Sequence, residues 1–174
     1  LNNDDFRSQE RTFDLLTQVV GRAGRGQYKG TAVIQTCNPE NDVIQIAARQ
    51  DYDAFFKDEL KTRKMLIYPP YCDSCLIGFI GENEPKVRVA SQKYTDRLKE
   101  KLSGEYKDLK IIALGPMTAR VSKISNKFRY RLILKCKNTK RFRALMNELL
   151  KYTGTDRSYN DVSVYIDINP ENII

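Results

Sequence analysis

The sequence predicts an α+β sandwich over residues 71–174, in which two helices cover one face of a four-stranded antiparallel sheet. Residues 128–136 and 162–168 alternate between apolar and polar side chains, as strands with one buried face do. Two other segments, at residues 87–102 and 142–150, repeat apolar residues at helical spacing. The resulting order is β-α-β-β-α-β, which is typical of a ferredoxin-like sandwich.

The strands of this sandwich are short, and turn residues separate them. We predict the first strand over residues 76–80, the second over 111–114 and the third over 128–136. The fourth strand ends at Asn169-Pro170, because proline cannot continue a ladder of hydrogen bonds. The apolar stripe of the first helix consists of Val87, Ala90, Tyr94, Leu98 and Leu102, and that of the second consists of Phe142, Leu145, Met146, Leu149 and Leu150.

The region before the sandwich is predicted to be mainly helical. Residues 8–25 can form one helix, and the β-branched run at residues 31–36 predicts a short buried strand. Residues 40–66 carry two apolar helical stripes, with a break or cap at Asp51 or Asp53. The chain therefore divides into a first segment over residues 1–38, a helical connector over 39–70 and the sandwich over 71–174.

A glutamine and two arginines form a pattern in the first helix. Gln18, Arg22 and Arg25 stand at i, i+4 and i+7, so they would share one stripe of the helix. Arginine is a planar, permanently charged fork that matches phosphate oxygens, and two of them could grip one polyphosphate. The same spacing is equally typical of a solvated, charged helix end. The spacing alone leaves both interpretations open.

The composition excludes several classes of site. The chain contains no histidine, so histidine-based catalysis and zinc sites that need imidazole are excluded. Thirty Lys and Arg against twenty-two Asp and Glu give a net charge of +8, which favours a polyanionic partner. No apolar run approaches the length of about 20 residues that spans a bilayer, and the acidic start of the chain is unlike a signal peptide. We therefore expect a soluble, cytoplasmic protein without a membrane partner.

The four cysteines make a weak case for a metal. Cys72 and Cys75 form a C-x-x-C pair, but Cys37 and Cys136 are isolated, so a four-thiolate zinc site has half of its usual pattern. Small apolar residues at the entrance of a strand are the favoured interpretation. The sequence predicts no metal site in this chain.

Positive charge is concentrated in the second half of the sandwich. Residues 105–152 contain thirteen Lys or Arg against three acids, a local net charge of +10. Residues 120–131 are densest, and we predict a hairpin there with its turn at 125–127. Contact between this basic face and phosphates is favoured over a merely solvated face. Phe128 and Tyr130 alternate with the charges, so we assign them to the core rather than to base stacking.

Eight short segments of the chain form a recognisable combination of motifs. They are residues 5–16 (DFRSQERTFDLL), 17–25 (TQVVGRAGR), 34–40 (IQTCNPE), 51–56 (DYDAFF), 66–71 (LIYPPY), 114–116 (LGP), 127–131 (KFRYR) and 167–170 (DINP). Together they closely resemble the C-terminal part of the PriA family of bacterial replication-restart helicases, also called primosomal protein N′. The resemblance covers essentially the whole chain and is much more specific than the arginine pattern alone. Two departures are visible: Asn169-Pro170 stands where the family usually has Asp-Pro, and the Cys72–Cys75 pair lies outside the family pattern.

The resemblance implies a role for the arginine pattern. Residues 1–38 would be the α/β end of the second RecA-like lobe of an ATP-dependent 3′-to-5′ DNA helicase. Arg25 would be the arginine finger for the γ-phosphate of ATP, and Arg22 and Gln18 would help to sense ATP. The chain has no phosphate-binding loop and no D-E-x-H motif, so the remaining ATP and Mg ligands would lie elsewhere in the parent protein. We therefore expect this chain alone not to hydrolyse ATP.

The resemblance also implies partners for the sandwich, which in this family is similar to a small-subunit ribosomal protein. The expected partners are branched DNA at stalled replication forks, the single-stranded-DNA-binding protein and the loader proteins of the primosome, and the family's zinc-binding cysteines lie upstream, in the parent. A non-enzymatic module that binds RNA or DNA, with a structural arginine helix, is the alternative. The residues expected to contact DNA are Arg120, Lys123, Lys127, Arg129, Arg131, Lys140, Arg141 and Arg143.

Overall fold

The computed structural model describes residues 5–23 and 30–171. Its contacts divide the chain into two compact units, Leu1–Leu66 and Ile67–Ile174, which are described separately below. Within the described ranges, no helix is long and apolar enough to cross a membrane. The three-segment division expected from the sequence stays a prediction.

The first unit contains three helices around a small core. They are α1 (Ser8–Ala23), α2 (Asp42–Ala48) and α3 (Tyr52–Leu66). The rings of Phe13 on α1 and Phe55 on α3 stack with their centroids 4.2 Å apart, and Val43, Ile46 and Ala47 of α2 complete the core.

The break between α2 and α3 falls at the predicted place. Gln50 has a left-handed φ of 55°, and the Asp51 carboxylate accepts a hydrogen bond of 3.0 Å from the Ala54 amide at the start of α3. The prediction of two helices with an aspartate cap between them is confirmed.

The strand predicted over residues 31–36 is wrong. Residues 31–36 form neither a helix nor a strand, and the side chain of Val33 is 87% exposed. A β-branched run forms a strand when a neighbouring strand satisfies its backbone hydrogen bonds, and no described part of the first unit supplies one. The described residues of this unit therefore show helices alone, and the RecA-like α/β architecture stays a prediction.

The second unit has the predicted β-α-β-β-α-β order. Its elements are β1 (Asp73–Gly81), α4 (Glu84–Ser103), β2 (Ile112–Ile124), β3 (Lys127–Cys136), α5 (Lys140–Thr155), a 3₁₀ helix (Arg157–Tyr159) and β4 (Ser163–Ile168). The strands form one sheet in the order β2-β3-β1-β4, and every neighbouring pair is antiparallel. The α+β fold class predicted for this part of the chain is confirmed.

The core of the second unit lies between one face of the sheet and the helices α4 and α5. The strands contribute Ile77, Phe79 and Leu134, which are all fully buried. The ring of Phe79 meets that of Tyr94 on α4 edge to face, with centroids 5.4 Å apart. We call this side of the sheet the inner face, and the side without helices the outer face.

Strand β2 is nine residues longer than the four residues predicted for it. A bulge separates Leu114 from Met117, and Gly115 takes a left-handed φ of 111°. A Cβ at Gly115 would lie 3.0 Å from the Arg131 carbonyl oxygen, so glycine suits this position. The Gly115-Pro116 pair interrupts the apolar pattern without ending the strand.

Two adjacent leucines on α5 provide a test of the core. The sequence placed both on the apolar stripe, but Leu149 is 1% exposed and Leu150 is 40% exposed. Leu149→Ala should lower the free energy of unfolding by about 2–5 kcal/mol, because it leaves a cavity in the core. Leu150→Ala should cost less than about 1 kcal/mol. Urea denaturation of both variants measures the difference, and equal losses would contradict the assigned inner face.

A polar cluster joins α4 to the end of α5. The Asp156 carboxylate lies 2.7 Å from the Lys93 ammonium and accepts hydrogen bonds from the Ser158 amide and the Tyr152 hydroxyl. The hydrogen bond from Lys93 holds the pKa of Asp156 below its usual range, and the Ser158 and Tyr152 bonds act in the same direction.

This cluster predicts a pH dependence of stability. A carboxyl group whose pKa is lowered by folding stabilises the protein above its unfolded pKa, near 4, and loses that effect as the pH falls. Asp156→Asn should therefore destabilise the protein at neutral pH and flatten the decline in stability between about pH 5 and pH 2. Thermal unfolding over this pH range measures both effects. Parallel pH curves for the variant and the original protein would contradict the prediction.

Candidate nucleic-acid interface

Strand β3 places its basic and apolar side chains on opposite faces of the sheet. Leu132, Leu134 and Cys136 are buried on the inner face, whereas Arg129 and Arg131 alternate with them and face outward. Phe128 and Tyr130 pack against the inner core, as the sequence predicted. Lys127, Arg129 and Arg131 consequently form a line of cations on the outer face of β3 at a spacing of about 7 Å, and Ile133 separates them from Lys135.

Pairing between strands shows what surrounds these arginines. Arg131 lies between Gly78 of β1 and Met117 of β2, and Tyr165 of β4 lies on the far side of Gly78. In the next row, Arg129 pairs with Ile80, which in turn pairs with Ser163 of β4. Because neighbouring strands are about 4.8 Å apart, the residues of each row are side by side.

One end of the outer face is covered. The Lys135 ammonium lies 3.9 Å from the centroid of the Tyr68 ring, and burial lowers the pKa of Lys135. Leu76 and Ser74 on the same face are also buried. The accessible part of the outer face is therefore the half near Arg129, Arg131 and Tyr165.

The β2–β3 hairpin extends this accessible half. Its turn is Ser125-Asn126, and both residues have positive φ values, 48° and 61°, as two-residue hairpin turns of the primed type require. The predicted turn is thus confirmed, although Lys127 already belongs to β3. Arg120, Lys123 and Lys127 are exposed. Lys123 pairs with Phe128, and its ammonium lies 4.6 Å from the centroid of that ring, so Lys123 is on the inner side of the hairpin.

The remaining three predicted contacts lie elsewhere. The first turn of α5 contains Lys140, Arg141 and Arg143. This turn follows the last residue of β3, whereas the hairpin turn precedes the first one. The ten residues of β3 span about 30 Å, so the two groups of cations are far apart. The Arg141 guanidinium lies 2.8 Å from the Asp108 carboxylate and 4.9 Å from the centroid of the Tyr106 ring. Arg143 donates a hydrogen bond of 3.4 Å to the Asn138 side chain. The structure thus places Lys127, Arg129 and Arg131 on one face, with Arg120 and Lys123 on the neighbouring strand of the same hairpin, and separates the other three residues from them.

A concavity adjoins the basic half of the outer face. It has a volume of about 420 Å³ and lies where β1, β3 and β4 meet the loop before α4. Acidic groups contribute to its walls, and one of them, Asp161, forms an ion pair with Lys86. Its principal lining residues are Ile80, Glu82, Asn83, Lys127, Asp161 and Ser163.

The arginine pattern is partly described. Gln18 and Arg22 are exposed and stand one turn apart on α1, whose last residue is Ala23. Arg25 lies outside the described residues. The roles of these three side chains towards ATP and Mg stay predictions.

Three of the four cysteines, Cys72, Cys75 and Cys136, are buried in the second unit, and Cys37 is exposed. The Cys72 thiol donates to the Ile67 carbonyl oxygen at 3.2 Å, and the Cys136 thiol lies 3.7 Å from the Asp73 carbonyl oxygen. Burial raises the pKa of both Cys75 and Cys136 to about 12, so both thiols are protonated at neutral pH. Among the described residues, no group of three or more Cys, Asp or Glu side chains is arranged to hold a metal ion.

The sequence analysis did not predict that Tyr165 packs over Gly78 on the outer face. Gly78 was an available signal, because glycine in the interior of a strand often marks the close approach of another group. Tyr165 alternates with Val164 and Ile166 along β4, so the alternation also predicts that its ring lies on the face opposite to the core. Together the two residues put an aromatic ring on the same face as Arg131.

Fold and surface define this part of the chain as an α+β domain with a cationic, helix-free sheet face. Residues 64–171 match the family described as "Primosomal protein N C-terminal domain", and the chain belongs to this family. The PriA resemblance that the motifs predicted is thereby confirmed, and the chain corresponds to the C-terminal part of PriA proteins.

Three relatives illustrate the extent of the similarity. The chain is 34% identical to Replication restart protein PriA of Bacillus subtilis over 170 residues, which is 98% of this chain and 20% of that protein. It is 40% identical over 135 residues to the protein of the same name from Synechocystis, covering 78% of the chain and 16% of the relative. The corresponding protein of Thermotoga maritima is 36% identical over 154 residues, covering 88% and 19%. The chain thus spans about a fifth of the length of these relatives.

Proposed function

We propose that this chain is a DNA-binding C-terminal part of a protein that recognises stalled replication forks and starts primosome assembly. The observation that carries the proposal is the line of cations on the outer face of β3, which consists of Lys127, Arg129 and Arg131. Neither helix of the second unit covers this face, and the same hairpin adds Arg120 and Lys123 on β2.

The chemistry of this surface suits the phosphate backbone. Arginine and lysine gain affinity for DNA by releasing counterions from phosphates, and this gain needs no base-specific contact. A helix-free sheet face that continues into a basic hairpin presents its charges along a line rather than at a point. Such a line fits a polyanion better than it fits a small anionic ligand.

The proposed parent protein is an ATP-dependent 3′-to-5′ DNA helicase. In it, Arg25 would stabilise the charge on the γ-phosphate during hydrolysis, while Arg22 and Gln18 would report the bound nucleotide. The exposure of Gln18 and Arg22 on α1 is compatible with this role. ATP and Mg would need further ligands from the rest of the parent, so this chain alone would be inactive.

The proposed partners follow from the same assignment. They are branched DNA, the single-stranded-DNA-binding protein and the loader proteins of the primosome, in the cytoplasm. An acidic protein segment and DNA would compete for the cations of the hairpin. Simultaneous saturation of the chain by both would count against a shared surface.

Fluorescence anisotropy with labelled DNA tests the proposal. The chain should bind a three-way fork and a linear duplex of equal length, and the logarithm of its affinity should fall linearly with the logarithm of the salt concentration. Tighter binding of the fork would assign recognition of branch geometry to this part of the protein. Absence of salt-dependent binding to either DNA would overturn the proposal.

A further inference from the structure

The ring of Tyr165 lies directly over the backbone of Gly78 on the outer face. Tyr165 pairs with Gly78 across β4 and β1, and a Cβ at Gly78 would collide with ring atoms Cε1 and Cζ of Tyr165. Glycine at this position therefore lets the ring lie down over the backbone of the central strand. Tyr165 remains 37% exposed in this position.

Positive charge lies next to the ring. Gly78 of β1 pairs with Tyr165 of β4 on one side and with Arg131 of β3 on the other. Arg129 lies two residues from Arg131 on the same face of β3. The row order is therefore aromatic ring, glycine, arginine, from one strand to the next. The concavity of about 420 Å³ opens beside this row, with Lys127 and Ser163 in its walls.

This arrangement suits one class of ligand better than others. A flat aromatic surface beside cations matches an unpaired base followed by its phosphate, because every base has a face that stacks and every nucleotide has a charge that pairs. A duplex keeps its bases stacked on each other and cannot offer such a face to a sheet. Asp167 lies on the same face and strand as Tyr165, on the side away from Arg129, so the phosphates of a bound strand would lie on the arginine side of the ring.

We infer that the outer face binds single-stranded DNA, with the Tyr165 ring stacked on an unpaired base and Arg129 and Arg131 paired with the adjoining phosphates. The inference rests on the proposed DNA-binding function and adds a second mode to it. The hairpin cations serve any DNA, whereas the ring selects DNA whose strands are separated.

A fluorescent substitution reads the stacking directly. The chain contains no tryptophan, so Tyr165→Trp would introduce a single indole on the outer face. Stacking on a base should quench its emission when oligo(dT) is added, and duplex DNA should quench it much less. Tyr71→Trp is the matched control, because Tyr71 is 38% exposed and precedes β1, away from the Gly78 row. Equal quenching at both positions, or none at Tyr165→Trp, would overturn the inference.

Affinities provide the second measurement. Tyr165→Ala should weaken binding of oligo(dT) by about 5- to 150-fold, the range found when a stacking aromatic is removed. Tyr165→Phe keeps the ring and should bind within about twofold of the original protein. Neither change should alter binding of the linear duplex by more than about twofold. Should Tyr165→Ala fail to fold, the phenylalanine and tryptophan variants still decide the question.

The outcomes separate this inference from the proposed function. An Arg129/Arg131 double variant could lose duplex binding while Tyr165→Ala binds oligo(dT) as the original protein does. This result would keep the proposed function and overturn the inference that the Tyr165 ring stacks on a base. Absence of DNA binding by the original chain would overturn both. Clearly tighter binding of oligo(U) than of oligo(dT) would reassign the Tyr165 ring and its neighbouring arginines to RNA and overturn the inference as stated.

Discussion

Replacing Arg129 and Arg131 together with alanine is expected to weaken binding of this chain to duplex DNA by about ten- to sixty-fold at 0.1 M salt. Each phosphate contact contributes about 0.9 to the slope of log affinity against log salt concentration, so the slope should fall by about 1.8. Both side chains lie on the accessible half of the outer face of β3. Anisotropy titrations over a salt series measure the affinity and the slope together.

Two controls isolate the phosphate contacts. Because both arginines are half-buried, Arg129→Gln with Arg131→Gln should reproduce the loss while keeping most of each side-chain stem in place. Removing the same charge from the other side of the domain, with Arg88→Ala and Arg157→Ala, should change the slope far less. These two arginines are exposed on α4 and the 3₁₀ helix. Equal effects of the two double variants would mean that net charge, rather than the outer face, sets the affinity.

Loss of Arg25 is expected to have the largest effect on catalysis. In a PriA protein that contains this chain, Arg25→Ala should slow ATP hydrolysis by about a thousandfold or more, because a positioned guanidinium stabilises the charge of the transition state. Arg25→Lys should recover little, because an ammonium group cannot reproduce the planar fork. DNA-stimulated phosphate release measures the rate.

The DNA affinity of the same variants provides the control for this prediction. Binding should stay within about twofold of the original, because Arg25 is proposed to act on ATP and the hairpin cations on DNA. Arg22→Ala should reduce hydrolysis less than Arg25→Ala. A hydrolysis rate unaffected by either change would leave the arginine helix with a structural role.

Local sequence pattern predicted the second unit well. Strand β3 and the two helices were recognisable because each buries one continuous face against a single core, so their periodicity of two or of three to four residues is undisturbed. The boundaries were less accurate. Strand β2 continues through Gly115-Pro116 by forming a bulge, and a bulge depends on the partner strand rather than on the local sequence.

Errors in the prediction have a common physical cause. The run at residues 31–36 has the composition of a strand but lacks a partner among the described residues. Leu150 has the character of a core residue, yet it lies at the margin of the buried stripe that Leu149 occupies. Tyr165 acquires its position through Gly78, which is 87 residues earlier in the chain. In each case the outcome depends on a distant segment, which a local pattern does not contain.

The burial of three of the four cysteines has a practical consequence. Cys72, Cys75 and Cys136 are buried and Cys37 is exposed, so a maleimide reagent at neutral pH should modify Cys37 preferentially. The unaltered sequence thus carries one addressable thiol in the first unit, outside the domain that holds the hairpin and the outer face. A dye attached there would report on motions of the helical unit while leaving the basic surface chemically untouched.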